Sequence, residues 1–427
     1  MNRNLARLIL LFAILTMACG TVTRLTPSPS EEDIGTLVAI TLTAHDLPAD
    51  GSGTTPGPAP DSLRVVYVRE GNLWLWAQGM GSRQLTASGD VTEPRFSDDG
   101  RMIAFQRTGS LWAIRADGTG ERLLVSAEYL AALANSGEET HLSWIDFAPR
   151  SHWLYFNTSL TSLASGLGGP RLDLHRVDAD DPVPVQLFPQ GQGGTPYFSP
   201  DGQWMALSQA GQIIVSRLDG SGAHVAFTFP PISTYSEWFY LPEVVWMNTS
   251  GGFYVITPAP AILENPNEPA RWWYVPLNGK AAQLAAFITA PVWVSFPRLA
   301  PDGTRAVYVR DSAPGLLELH LIDASTADML LVSYAGQALG AGPWSPDGKY
   351  FTFWQDDPRK IFYAAPGETP QPIGDVAQTD FVTWVDGDTL LFKNEAELRL
   401  RRLSEPSLLI DGQVADNQFD FALFATP

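Results

Sequence analysis

Pro343-Trp344-Ser345-Pro346-Asp347-Gly348 decides the fold, because the chain writes it several times over. Arg95-Phe96-Ser97-Asp98-Asp99-Gly100, Tyr197-Phe198-Ser199-Pro200-Asp201-Gly202 and Arg298-Leu299-Ala300-Pro301-Asp302-Gly303 are further copies. Worn copies stand at Asp146-Phe147-Ala148-Pro149-Arg150-Ser151, Val245-Trp246-Met247-Asn248-Thr249-Ser250 and Thr383-Trp384-Val385-Asp386-Gly387-Asp388. In each, a bulky apolar residue runs into a tight turn. Pro presets the first corner, Asp or Asn caps the turn through its side chain, and Gly takes the left-handed position. An apolar run follows, such as Met102-Ile103-Ala104-Phe105 or Trp204-Met205-Ala206-Leu207. The pattern is strand, turn, strand, repeated.

The bulky residues Phe96, Phe147, Phe198, Trp246, Leu299, Trp344 and Trp384 recur every 40 to 53 residues. A period of that size filled with short alternating strands marks a β-propeller, an all-β fold of four-stranded blades. In the unit at Phe96 the first strand ends at that residue. Met102–Gln106, Leu111–Arg115 and Glu121–Val125 supply the other three. At the amino-terminal side, Arg64–Glu70, Asn72–Gln78 and Arg83–Thr86 read as second, third and fourth strands with no first strand before them. At the far end, Gln418–Phe424 reads as a lone strand. Joining it to Arg64–Glu70 closes a ring of seven internal units plus one composite, which removes two unpaired edges. The expectation is therefore eight blades with 1+3 closure. Seven or six are the alternatives if the weak units around Trp384 or Phe147 are misread.

The bulky residue followed by Ser-Pro-Asp-Gly and an apolar strand resembles the repeat of TolB-like propellers, also called WD40-like or PD40 repeats. The resemblance covers Leu63 to the carboxyl end and is carried best at Phe96, Phe198, Leu299 and Trp344. It departs in blade count from TolB itself, which has six blades and a separate amino-terminal domain.

Aromatic residues make up 11% of the 427 residues and charged ones 17%, with 37 Gly and 34 Pro. That is the balance of a turn-rich β protein. A formal charge of −19 argues against a nucleic-acid partner or an anionic membrane surface, both of which need basic patches. The single cysteine is Cys19. Arg3 and Arg7 precede an apolar stretch, Leu8–Leu15, too short to span a bilayer. Thr16-Met17-Ala18-Cys19 resembles the lipobox of bacterial lipoproteins. On that reading residues 1–18 are a signal peptide, and Cys19 carries a lipid at the outer side of the cytoplasmic membrane or the cell surface. Residues 19–62 form a tether with a short helix, or a strand, over 31–45, and 63–427 form the propeller.

Strand order assigns the loops to two faces. The Ser-Pro-Asp-Gly turns and the third-to-fourth connections share one face. The second-to-third loops and the links between blades share the other. The long segments fall on that second face: Ser126–His141 and Pro230–Pro242 between blades, Thr158–Pro170 and Pro258–Ala270 within them. Long loops on a rigid scaffold are where binding concentrates. Glu128, Tyr129, Glu138 and Glu139 on one link, with Tyr235, Glu237, Trp238, Phe239 and Tyr240 on the other, are the candidate site. Aromatics beside acids suit a protein or peptide, with carbohydrate as an alternative. Trp238 and Tyr240 have a second use, folding back to plug the channel or cover a blade edge.

The six histidines show no metal-ligand spacing, although His141 and His152 flank one first strand. The repeated aspartates of the turns repeat because the turn does. There is no Gly-x-Ser-x-Gly elbow and no phosphate loop, so neither a cofactor nor a metal is expected. The tryptophans at 74, 76, 112, 272 and 273 read as packing residues. The leading expectation is a non-catalytic binding or scaffold module recognising a protein or peptide through its long-loop face. One alternative is a polysaccharide- or peptide-cleaving propeller enzyme with carboxylates in the funnel, drawn from Glu128, Glu138, Glu139, Glu237 and Glu243. Another is a structural spacer of a cell-surface assembly.

Overall fold

The computed structural model describes residues 63–336, 338–355, 360–373, 381–415 and 421–424. The expected leader, Cys19, tether and 31–45 element lie outside them. The described residues form eight antiparallel sheets, seven of four strands and one, blade 3, with a short fifth; each runs in sequence order apart from the composite first blade and that extra strand. Blade 1 holds Arg64–Arg69, Asn72–Ala77 and Gly81–Gln84, closed by Phe421–Phe424. The register pairs Arg64 with Phe424 and Tyr67 with Phe421, which is the closure expected from the two unpaired ends. Blades 2 to 8 begin with Val91–Phe96, Glu138–Phe147, Thr195–Phe198, Val244–Trp246, Arg298–Leu299, Leu339–Trp344 and Phe381–Trp384. First strands of neighbouring blades contact one another between blades 1 and 2, 2 and 3, 4 and 5, 6 and 7, and 7 and 8, which places them on the inner side of the ring. The outer fourth strands are largely exposed.

There is no single core. Eight apolar clusters form, one between each pair of neighbouring blades. One of them joins Val65, Tyr67 and Phe421 of blade 1 to Leu391 and Leu398 of blade 8. The Tyr67 hydroxyl crosses the same seam to Asp411 at 2.8 Å. Burial raises this phenol well above its ordinary range, with the Asp411 carboxylate adding to it.

The repeated turn explains itself atom by atom. In blade 7 the Ser345 hydroxyl donates to Asp347 Oδ1 (2.6 Å) and accepts from the Tyr350 amide (2.9 Å). Ser97 and Ser199 do the same in blades 2 and 4. The left-handed corner falls on Gly348 at φ 68°, where a side chain would be strained. The bulky residues do more than pack. Trp246, Trp344 and Trp384 each donate their indole N–H to the preceding blade, at Tyr197 O (2.8 Å), Arg298 O (3.1 Å) and Pro343 O (3.1 Å). Among the other tryptophans, Trp76 and Trp272 are buried, and Trp74, Trp112 and Trp273 pack against the inter-blade clusters.

Blade 3 corrects the loop reading. Its first two strands, Glu138–Phe147 and Trp153–Ser162, pair over ten residues each. Gly168–Pro170 adds to the second of them as an extra short strand. The segment 158–170 is thus a protruding hairpin, and Glu138 and Glu139 lie in its ladder rather than in a loop. Ser126–His141 is not an open loop either: helix α1, Ala127–Leu133, starts at the Ser126 cap and buries Leu130 between blades 2 and 3. No helix among the described residues is long and apolar enough to cross a membrane.

Candidate functional site: the long-loop face of blades 3 to 6

Two clusters build this face. The first sits between blades 4 and 6. Within 230–242 the Thr234 hydroxyl donates to Trp238 O (2.7 Å), closing a turn that places Tyr235 at φ 51°. The Ser233 amide donates to Pro260 O (2.7 Å), pinning this link to the 258–269 loop of blade 5. Tyr235 strengthens the junction: its hydroxyl donates to Glu264 and accepts from the Leu263 amide. Its ring meets Trp293 edge-on at 5.6 Å. Trp238 and Tyr240 converge on Phe296 at 6.3 and 5.5 Å.

The candidate residues therefore divide. Tyr240 is buried, and desolvation pushes its phenol far above the usual range, with Glu243 adding to it. Trp238 is half-buried against Phe296, while Tyr235, Glu237 and Phe239 stay exposed. Tyr240 thus serves to hold the link down, and Tyr235 and Phe239 face solvent. Trp293 and Phe296 were not singled out from sequence. The signal was available in Pro291-Val292-Trp293-Val294-Ser295-Phe296-Pro297, an aromatic segment bounded by prolines.

The second cluster lies under α1. Tyr129 reaches His175 Nδ1 through its hydroxyl at 2.9 Å, and His175 Nε2 lies 3.2 Å from Asp173 Oδ2. His175 and Asp173 are fully buried, with Phe156 stacked on the imidazole at 5.0 Å. Burial alone would raise the Asp173 carboxyl. Hydrogen bonds from His175 and Thr158 outweigh it and hold the group ionised below its ordinary value. Desolvation moves the Tyr129 phenol up, and Asp173 adds to the shift. This buried line of polar groups fixes α1 onto blade 3. Glu128 stays exposed on the first turn of the helix, where its own backbone N–H and then Ser126 hold its carboxyl low. Glu138 is tied to Asn135 (2.8 Å), and Glu139 lies 3.7 Å from His141. His141 and His152 do not meet: His152 belongs to the turn face, between Asp180 (2.6 Å) and Asp99 (3.2 Å). Among the described residues no group of three or more His, Cys, Asp or Glu is placed to hold a metal ion.

Exposed apolar side chains mark the same face. Leu163 and Leu167 tip the blade 3 hairpin at 63% exposure each, and Phe239 and Leu263 stand at 59% and 62%. Of the five funnel carboxylates considered above, Glu243 is spent on Arg298 at 2.9 Å. A different carboxyl is perturbed. Asp146, one residue before Phe147 on the inner strand of blade 3, is raised to about 7, chiefly by desolvation. Arg95 opposes the shift and Asp98 reinforces it. Its place in a worn turn copy had concealed it.

The chain is an eight-bladed β-propeller, the fold that its TolB-like turns lead one to expect. No family model matches it, and no curated protein matches its sequence. Among solved structures it is similar to the Dos1 propeller, at 14% identity and a TM-score of 0.50, over 78% of this chain and 85% of that one. An oligogalacturonate lyase from Vibrio parahaemolyticus aligns at 12% identity and 0.45, over 70% and 84%. TolB from Acinetobacter baumannii aligns at 12% and 0.34, over 68% and 73%. At these identities the likeness is one of fold.

Proposed function

We propose that this propeller is a non-catalytic binding module that docks a protein or peptide on its long-loop face. The observation that carries the reading is the grouping of Leu163, Leu167, Tyr235, Phe239 and Leu263 on the loops and hairpin of one side, exposed on a scaffold held rigid by buried contacts. Exposed apolar patches rimmed by charge mark interaction surfaces, and Glu128, Glu139 and Glu237 supply the rim. We further propose that the module works outside the cytoplasmic membrane, held by a lipid on Cys19. The basic start, the short apolar stretch and Thr16-Met17-Ala18-Cys19 support that address.

The test is crosslinked pull-down with the full chain, repeated with Phe239→Ser and Leu263→Ser combined. Loss of the specific partner with an unchanged melting curve supports the reading; undiminished recovery removes this face. Radiolabelled palmitate incorporated by the wild type and not by Cys19→Ala tests the anchor. A second reading, acid–base chemistry at the first strand of blade 3, draws on Asp146, whose carboxyl near 7 suits proton transfer at neutral pH. Hydrolysis of oligosaccharide or peptide libraries that vanishes in Asp146→Asn would favour it over the binding role.

A further inference from the structure

In blade 3 the turn face departs from its own repeat in charge. Where blades 2, 4, 6 and 7 place Asp99, Asp201, Asp302 and Asp347, blade 3 places Arg150. The left-handed corner moves with it. Arg150 sits at φ 57°, whereas in blade 4 that conformation falls on Gly202 at φ 68°. A bulky cationic residue held in a conformation that suits glycine is costly. The surroundings enforce it: the Arg150 amide donates to Asp98 Oδ2 of blade 2 (2.6 Å), and His152 bridges Asp99 and Asp180.

Arg150 borders a cleft of about 570 Å³ between blades 3 and 4, within the size range of small-molecule sites. Arg176 and Arg217 line the same cleft, with Trp153 and Tyr155 in its wall. None of the three arginines forms an ion pair within 4 Å among the described residues, although the chain carries 46 acidic residues against 27 basic ones. The cleft also holds two aspartates, each with one carboxylate oxygen engaged, and the Asp219 carboxyl is held low by Ser221 first and also by Arg176. Asp201 Oδ1 accepts from Ser199 and from the Gln203 amide, and Asp219 Oδ1 accepts from the Ser221 amide. The guanidiniums are oriented by stacking, Arg176 on Trp153 at 4.4 Å and Arg217 on Trp204 at 3.8 Å. Arg176 Nε is buried, so binding falls to the terminal N–H groups. Arg217 uses Nη1 on Gln203, and Arg176 makes one long contact to Leu218 O at 3.4 Å.

We propose that this cleft is a binding site for a small organic anion, whose carboxylate or phosphate group is held by Arg150, Arg176 and Arg217. Planar guanidiniums bind both groups through paired hydrogen bonds, and Trp153 and Tyr155 offer an apolar side to the remainder of the ligand. The site lies on the face opposite the docking surface.

Calorimetric titration of the full chain at low ionic strength, with sodium phosphate and with sodium glucuronate as probes, tests the site. The expected result is saturable one-to-one binding of at least one probe, weakening as salt is added. Phosphate alone points to a phosphorylated ligand, and glucuronate to a carboxylate. Arg150→Gly is expected to raise the melting temperature by relieving the strained corner and yet to weaken binding about tenfold, the weight of one charge-assisted hydrogen bond. Arg217→Gln is expected to weaken binding to a similar degree without the gain in stability. Absence of saturable binding by both probes overturns the proposal, and so do wild-type affinities in both variants.

Discussion

The two faces of this ring are built from opposite materials. The turn face is self-sufficient: Ser345, Asp347 and Gly348 satisfy one another, and Trp344 reaches to the blade before. The long-loop face has no such repeat. Its order comes from one-off pairings, Thr234 with Trp238, Ser233 with Pro260, Tyr129 with His175, and apolar side chains are left over. The repeated turns hold neighbouring blades together, and the long-loop face has apolar side chains free for something outside the molecule. Apart from the arginine-lined cleft between blades 3 and 4, substitutions in the repeated turns should therefore move stability, and substitutions of the exposed long-loop side chains should move binding.

The largest expected effect is on the turn face. Trp344→Ala deletes a ring that is 6% exposed, packs on Phe351 at 5.1 Å and donates to Arg298 O. A loss of about 3–5 kcal/mol is expected for a buried aromatic of this size, read as a fall in denaturant midpoint. A loss under about 1 kcal/mol would mean that the repeated bulky residue does not hold neighbouring blades together.

The same contrast explains what could be read from sequence. The turn recurs, so each copy corroborates the others, and blade number, strand order and the pairing of Phe421–Phe424 with Arg64–Tyr67 all follow from counting copies. The long-loop face offers one copy of everything. Trp293 and Phe296 escaped notice because their partners, Tyr235, Trp238 and Tyr240, come from a different link between blades, a pairing that no period announces. Glu138 and Glu139 read as loop because the strand Trp153–Ser162 that pairs with them outruns the usual blade length. Arg150 and Asp146 were passed over for the opposite reason: inside a recognised repeat, departures look like wear.

Asp146 gives the next effect and adds pH to the comparison. Its folded value, about 7, lies above that of an unfolded carboxyl, about 3.9. The folded state therefore holds a proton that the unfolded state releases. Stability linked to this group is full below about pH 4 and is lost as pH rises toward 7. Asp146→Asn should be more stable than wild type at pH 8 by on the order of 2 kcal/mol, the partial exposure of the residue reducing the full linkage value, and little different at pH 4. Parallel stability–pH curves for the two proteins would contradict the raised value. Ser345→Ala comes next, with an expected loss of about 1–2 kcal/mol from a fully buried hydroxyl that both donates and accepts. Blade 6 already lives with Ala300 at this position, where Asp302 caps the Thr304 amide and hydroxyl instead.

The smallest stability change is expected where the proposed functional change is greatest. Phe239 and Leu263 are each more than half exposed, so replacing both with Ser removes little buried area and should shift unfolding by no more than about 0.5 kcal/mol. Tyr240→Ser, only one residue from Phe239, should behave like a turn-face change, because Tyr240 is buried against Phe296. The pair is a contrast drawn within a single loop: one side chain supports the surface and its neighbour belongs to it. If Phe239→Ser with Leu263→Ser lowered stability as much as Tyr240→Ser, the exposed aromatics would be part of the scaffold. The long-loop face would then lose its claim to be the side that faces a partner.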